Sequence, residues 1–259
     1  MTAQAESIIL EVRDIGKQFG GLTALTNVNL KVFHGECLAI IGPNGAGKTT
    51  FFNILTGLLR QTAGRILFEG TDITDYATHR RAAIGISRTM QITSIFSGLS
   101  VLDNVLIGIQ AAHAPWKLVR IGVLPVAEMR RRAAEIIEIV GLSEKADMKC
   151  ANLGHGDQRL VEIALALSVE AKLLLLDEPT AGLSLKETRH ITGRLREIWQ
   201  RKKLTIVIVE HDMEVALGLA TRVAVFHQGT CLAVGEPEAI MADEIVNRVY
   251  LKGHTRADA

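Results

Sequence analysis

Residues 42–50 read Gly42-Pro43-Asn44-Gly45-Ala46-Gly47-Lys48-Thr49-Thr50. This is the G-x-x-x-x-G-K-[ST] pattern of a phosphate-binding loop. At ordinary amino-acid usage the string arises by chance in roughly 1% of chains this long, so its setting decides its weight. Before it, Cys37-Leu38-Ala39-Ile40-Ile41 predicts a buried strand. After it, Thr50-Phe51-Phe52-Asn53-Ile54-Leu55 predicts the start of a helix. Strand, glycine turn and helix N-terminus together aim backbone N–H groups at a polyphosphate. Gly42, Gly45 and Gly47 allow the tight turn. Lys48 is expected to reach the β- and γ-phosphates, and the Thr49 hydroxyl to ligate Mg²⁺. Pro43, Asn44, Ala46 and Thr50 complete the predicted nucleotide-binding stretch.

A second acidic signal lies downstream. Lys172-Leu173-Leu174-Leu175-Leu176 predicts a fully buried strand, and Asp177-Glu178 closes it. A carboxylate pair at such a strand end suits phosphoryl chemistry. Asp177 would hold Mg²⁺ through water, and Glu178 would polarise the water that attacks the γ-phosphate. A surface turn entered through Pro179 is the plainer alternative. A glycine-rich string, Leu153-Gly154-His155-Gly156-Asp157-Gln158, precedes the acidic pair and opens a predicted helix. Such turns bind anions, but alone this string is a weak signal.

Around these motifs the chain alternates strands and helices. Ile8–Val12 and Val28–Val32 alternate at period two, with glycine turns at Gly20-Gly21 and Gly35, and predict an antiparallel lead-in. Ile66-Leu67-Phe68 suggests a further strand. From about Ser100 to Leu167 the pattern is helical, including Ala127–Val140 with Gly141 as a stop signal and a helix over Asp157–Ser168. Leu185–Arg201 predicts an amphipathic helix; Leu204–Val209 and Val223–Phe226 predict buried strands. The remainder predicts a helical tail, about 236–259. Residues 110–126, with Pro115, Trp116 and Pro125, carry no clear pattern. The expected fold class is α/β: a P-loop NTPase core with a mostly parallel sheet, an N-terminal antiparallel β subdomain and an inserted α-helical subdomain, about 92–167.

Composition narrows the function classes. Of 259 residues, 48% are apolar, and 29 basic against 28 acidic residues leave a net charge of +1. That balance gives no electrostatic case for nucleic acid or an anionic membrane. The basic clusters Arg130-Arg131-Arg132 and Arg201-Lys202-Lys203 sit on helical patterns and read as solvated faces. Cys37, Cys150 and Cys231 are odd in number and widely spaced, which suits a reducing compartment and neither zinc nor a disulfide framework. The first residues have no basic n-region or apolar h-region, so no signal peptide is expected. No apolar run approaches the ~20 residues of a spanning helix, so membrane association is expected only through a partner.

In order and spacing, these motifs resemble an ATP-binding cassette (ABC) ATPase over roughly residues 8–253, as one nucleotide-binding domain. The phosphate loop, the second glycine string, the acidic strand, Ala181-Gly182-Leu183-Ser184 and His211 carry the resemblance. Phe19-Gly20-Gly21-Leu22-Thr23-Ala24-Leu25, Arg88-Thr89-Met90-Gln91, Gly156–Leu160 followed by Glu162-Ile163-Ala164, and Val249-Tyr250-Leu251-Lys252-Gly253 are similar to the longer ATPase subunit of branched-chain amino acid importers. The resemblance implies that Phe19 stacks on adenine, that Gln91 approaches Mg²⁺ at the head of a coupling segment, that His211 contacts the γ-phosphate, and that Ser184 communicates across a dimer. It implies ATP and Mg²⁺ as ligands and a second ATPase subunit, the same or different. It further implies transmembrane permease subunits, a periplasmic binding protein acting indirectly, and a place on the inner face of the cell membrane. The apolar stretch Gln91–Phe96 is expected to meet the permease.

One departure stands out. The second signature position, which in L-S-G-G-Q is a Ser that binds the γ-phosphate held by the opposite subunit, is Gly154 here; His155 and Asp157 also differ. Gly156 and the helix N-terminus remain as donors. One lost charge-assisted hydrogen bond weakens closure by about 1.5–3 kcal/mol. Other uses of the loop fit less well. DNA-repair cassettes carry a long coiled coil between the glycine motifs, translation cassettes carry two sets in one chain, and a GTPase would carry Asn-Lys-x-Asp. Within transport, urea or a small amide is the alternative cargo to branched-chain amino acids.

Overall fold

The computed structural model describes residues 7–89, 95–112 and 125–248. Gln91, the segment 113–124 and the closing Val249–Gly253 stretch lie outside the described residues. The chain gathers into two compact units, residues 1–81 with 205–259, and residues 82–204.

In the first unit, β1 (Ile8–Phe19) and β2 (Leu22–Phe33) pair antiparallel from Ile8↔Phe33 to Phe19↔Leu22. β4 (Ala63–Phe68) adds to the other edge of β1, and β5 (Thr71–Asp72) follows it. Leu25, Val28, Leu30 and Val32 are buried on one face of β2 while their neighbours are exposed. That alternation is what a sheet with one solvated face requires. The same unit holds β3 (Cys37–Ile41), which lies parallel to both β8 (Thr205–Val209) and β9 (Arg222–His227). All five residues of β3 and of β8 are buried, as expected of parallel strands covered on both faces. β10 (Thr230–Gly235) closes this edge antiparallel to β9. The pattern announces no strand beyond Phe226, yet here the chain turns back at once to pair with β9. Helix follows only at α8 (Pro237–Ala242).

The second unit pairs β6 (Ile86–Arg88) in parallel with β7 (Leu173–Asp177). Its helices are α3 (Val101–Ala112), α4 (Val126–Val140), α5 (His155–Leu167) and α6 (Leu185–Lys202). Ala133, Ile137 and Val140 turn the buried stripe of α4 inward, and Gly141 ends it with φ 79°. Ser100 has its hydroxyl on Asp103, and Asn104 is buried, so the entry to α3 is tied at both ends of its first turn.

The helix that follows β3, α1 (Lys48–Leu55), is treated differently at its two ends. No side chain caps its N-terminus. At its C-terminus the Arg81 guanidinium, only 2% exposed, donates to Ile54 O (2.7 Å) and Leu55 O (2.8 Å). It also donates to Tyr76 O (2.9 Å) and Thr74 O (3.0 Å). Arg81 comes from α2 (Thr78–Ala83), a helix that no periodicity announces. Carbonyls at a helix C-terminus need donors and favour a cation, so Arg81 anchors α1 from below. Arg81→Met keeps the apolar stem and removes every donor. Four carbonyls, two of them in fully buried bonds, then lose a partner, and we expect a loss of about 3 kcal/mol, read as a fall in the urea midpoint. A loss below about 1 kcal/mol would mean that other donors replace the guanidinium.

Candidate functional site

The phosphate-loop residues sit where strand passes into helix. Gly42 has φ 157° and packs so closely on the neighbouring strand that a Cβ would lie 2.2 Å from Phe226 O. Gly47, φ 98°, immediately precedes α1, and a Cβ there would meet Leu25 and the Ala24 carbonyl. At these two positions only glycine fits. Between them Pro43, Asn44, Gly45 and Ala46 form the turn, with Ala46 N–H on Pro43 O. Asn44, Gly45 and Thr49 are exposed and Thr50 is half-buried. Lys48 is buried, and its Nζ donates to Gly42 O (2.7 Å) and Pro43 O (3.1 Å). The ammonium thus bends back over the loop, and the loop's own backbone holds it there.

Two further candidates of this unit are placed by strand ends. Phe19 ends β1 and is 46% exposed, and Lys17 Nζ lies 4.8 Å from its ring centroid. An exposed aromatic face of this kind is available for stacking. His211 follows β8 and is exposed, with its backbone N–H 3.3 Å from Glu210 Oε2. Asp212 caps the next helix, α7 (Met213–Leu219), by accepting from Glu214 N and Val215 N.

In the second unit β7 delivers the acidic pair. Asp177 is fully buried, and its Oδ2 receives Arg88 Nη2 at 2.5 Å. Its Oδ1 is buried without a hydrogen-bond partner. Glu178, half-buried, has φ 48°. A left-handed backbone is costly for a residue with a Cβ, and such strain concentrates at functional positions. The pairing of Arg88 with Asp177 spans 89 residues, and no local pattern signals it.

The second glycine string begins α5. Gly154 is the residue before the helix, with φ −66° and ψ 161°, and a Cβ there would meet nothing within 4 Å. No side chain caps α5 from this position. Gly156 is buried in the first turn, and its N–H faces the Glu187 carboxylate. Ser184 caps α6 in a capping box: Glu187 Oε2 accepts from Ser184 Oγ (2.6 Å) and from Ser184 N (2.9 Å). The Ser184 hydroxyl and backbone N–H hold the Glu187 carboxyl below its ordinary range, with the Gly156 N–H and His155 adding to the effect. The S-x-x-E spacing is the available signal for this box.

Residues 25–181 match the family described as ABC transporter. The chain is 39% identical over 251 residues to the high-affinity branched-chain amino acid transport ATP-binding protein LivG of Escherichia coli K12, covering 94% of this chain and 97% of that protein. It is 36% identical over 250 residues to the corresponding BraF of Pseudomonas aeruginosa, with the same coverage. Among solved structures, the ADP form of an ATP-binding cassette of an ABC transporter superposes with a TM-score of 0.83 at 33% identity. That match covers 94% of this chain and 98% of the other.

Proposed function

The chain belongs to the ABC transporter ATPase family, and from that premise we propose that it powers import of branched-chain or related amino acids from the inner face of the cell membrane. The observation that carries the reading is the phosphate loop, with Lys48 turned onto its own carbonyls and α1 left uncapped at its N-terminus. LivG and BraF, which it resembles over nearly their full length, are named for that transport. Among the described residues no helix is long and apolar enough to cross a membrane, so passage of solute falls to permease subunits. Phe96, Leu99 and Met148 expose 51%, 38% and 40% of their surface on the helical unit, an apolar face suited to such a partner. A second ATPase subunit and, indirectly, a periplasmic binding protein complete the assembly.

Each residue has its own part in this chemistry. Lys48 exchanges two neutral carbonyl acceptors for phosphate oxygens, and charge-assisted bonds are roughly twice as strong. The N–H groups of the loop and of the first turn of α1 bind the remaining phosphate charge. Phe19 offers its ring to adenine. Glu178 takes the role of base toward the attacking water, and His211 holds that water and the γ-phosphate in register. Oδ1 of Asp177, buried without a hydrogen-bond partner, is a donor suited to a hydrated Mg²⁺, and the exposed Thr49 hydroxyl and Gln91 are the other expected ligands. When bound, that cation would neutralise charge on the β- and γ-phosphates. Among the described residues no three His, Cys, Asp or Glu side chains gather as a ligand cluster, so water and phosphate would supply most of its ligands.

Glu178→Gln should lower turnover by about 10²–10⁴-fold while ATP affinity stays within a few-fold, and Lys48→Ala should lose ATP binding itself. Fluorescent-nucleotide titration beside phosphate release separates the two. Parental turnover in Glu178→Gln would remove this residue as the base.

In proteoliposomes with its permease, ATPase activity should rise when a binding protein loaded with leucine, isoleucine or valine is supplied. Stimulation by a different solute alone would reassign the cargo and leave the ATPase standing.

Gly154→Ser places a hydroxyl at an ordinary extended backbone with open space around it. As a helix cap it should add a few tenths of a kcal/mol. In a Glu178→Gln background it should also raise ATP-dependent dimerisation on gel filtration. No gain would mean that the backbone donors of α5 already suffice.

A further inference from the structure

Among the described candidate cation ligands, Asp177 is held in an ion pair. Its carboxylate is wholly buried, and Arg88, 10% exposed, meets Oδ2 at 2.5 Å. Oδ1 remains buried without a hydrogen-bond partner. The pair is positioned by strand pairing. β6 and β7 run parallel with Arg88 opposite Leu175, and the next N–H, of Thr89, bonds Leu175 O at 3.0 Å. The guanidinium is therefore held at the strand end, beside the carboxylate it neutralises.

Elementary electrostatics gives this pairing two effects. A lone buried carboxylate attracts a proton or any divalent cation strongly, because burial disfavours an uncompensated charge. A carboxylate already paired with a guanidinium carries almost no net charge and attracts a free cation weakly. The pairing is also one-sided, since it fixes the carboxylate plane through Oδ2 and leaves Oδ1 for a metal-bound water. We propose that Arg88 is the positioning residue of the cation site: it presents Asp177 through a single oxygen and makes cation retention depend on the phosphates of the nucleotide. The inference rests on the ATPase reading for the identity of those phosphates.

The test uses Mn²⁺ as the probe and the full chain, followed by electron paramagnetic resonance of free Mn²⁺. The native chain should retain Mn²⁺ only when ATP is present. Arg88→Gln keeps a donor for Oδ2 and removes the charge. It should bind Mn²⁺ without nucleotide at least tenfold more tightly than the native chain, and adding Asp177→Asn to it should abolish the gain. Arg88→Lys keeps the charge and should stay within twofold of the native chain. Unchanged or weaker Mn²⁺ binding in folded Arg88→Gln overturns the proposal, as does a gain that survives Asp177→Asn. Should Arg88→Gln fail to fold, a tenfold gain in Arg88→Lys overturns it and native-like binding supports it. ATP binding in EDTA, measured alongside, should be unaffected by any change at Arg88. Its absence from the native chain would count against the ATPase reading and would leave the metal-affinity comparison intact.

Discussion

The nucleotide end of the first unit depends on one asymmetry, the unequal satisfaction of the two ends of α1. A short helix presents free N–H groups at one end and free carbonyls at the other. Here the carbonyl end is consumed. Arg81 takes Ile54 O and Leu55 O, while the Thr56 hydroxyl takes Phe52 O and Asn53 O at 3.1 Å each. The N–H end has no side-chain cap. A helix of eight residues could shift or fray if both ends were open. With its base fixed to the Thr74–Tyr76 turn, the open end stays where β3 delivers it. The close packing of Gly42 against Phe226 fixes the same end from the strand side. The N-terminal end of α1 is thus held in place while its own first turn carries no side-chain cap.

The second unit distributes its charges by the same economy. Glu187 serves two helices at once, closing the capping box of α6 and facing the Gly156 N–H in the first turn of α5. This bears on the departure at Gly154. A helix that starts without a capping side chain would leave its first N–H groups to water. Here the carboxylate of a neighbouring helix meets one of them. Gly156 N–H, which the resemblance leaves as a phosphate donor, thus has a carboxylate beside it. A phosphate arriving at α5 would meet the charge of Glu187 nearby, with no hydroxyl at position 154 to offset it.

What is legible in the sequence is local. β3 and β7 announce themselves because runs of five and four consecutive apolar residues bounded by turn signals have few other readings. α4 and α6 carry helical spacing over several turns, and Gly141 marks a real stop. The motif-bearing positions lie in contiguous strings for the same reason. β10 is hidden because Cys231-Leu232-Ala233-Val234 runs together without alternating, so its period favours neither strand nor helix. β6 is three residues long and has no period to read. Arg81 and Arg88 are hidden for a deeper reason. An arginine in sequence reads as surface, and each becomes structural only because acceptors remote in sequence converge on it. For Arg81 these are carbonyls 26 and 27 residues back, and for Arg88 a carboxylate 89 residues ahead. The residues that hold the candidate site, as opposed to those that compose it, are set by such long-range pairings.

The apolar face of the helical unit shows the same principle on the outside of the molecule. Phe96 and Leu99 are exposed, yet the backbone beneath them is tightly held. Asn104, wholly buried, accepts from Phe96 N at 2.8 Å and donates to Phe96 O, Ser100 O and Cys150 Sγ. Cys150 N–H bonds Leu99 O, and Ala151 N–H bonds Ser97 O. A loop with so many internal bonds cannot fold its apolar side chains inward to escape water. Exposed apolar residues on a flexible loop would signify little, because the loop could bury them at small cost. On a loop fixed by a buried amide they are a standing surface. The cargo leaves no mark on this chain because the chain does not touch it. What the chain does show is an outward apolar rim on a polar core that keeps it outward.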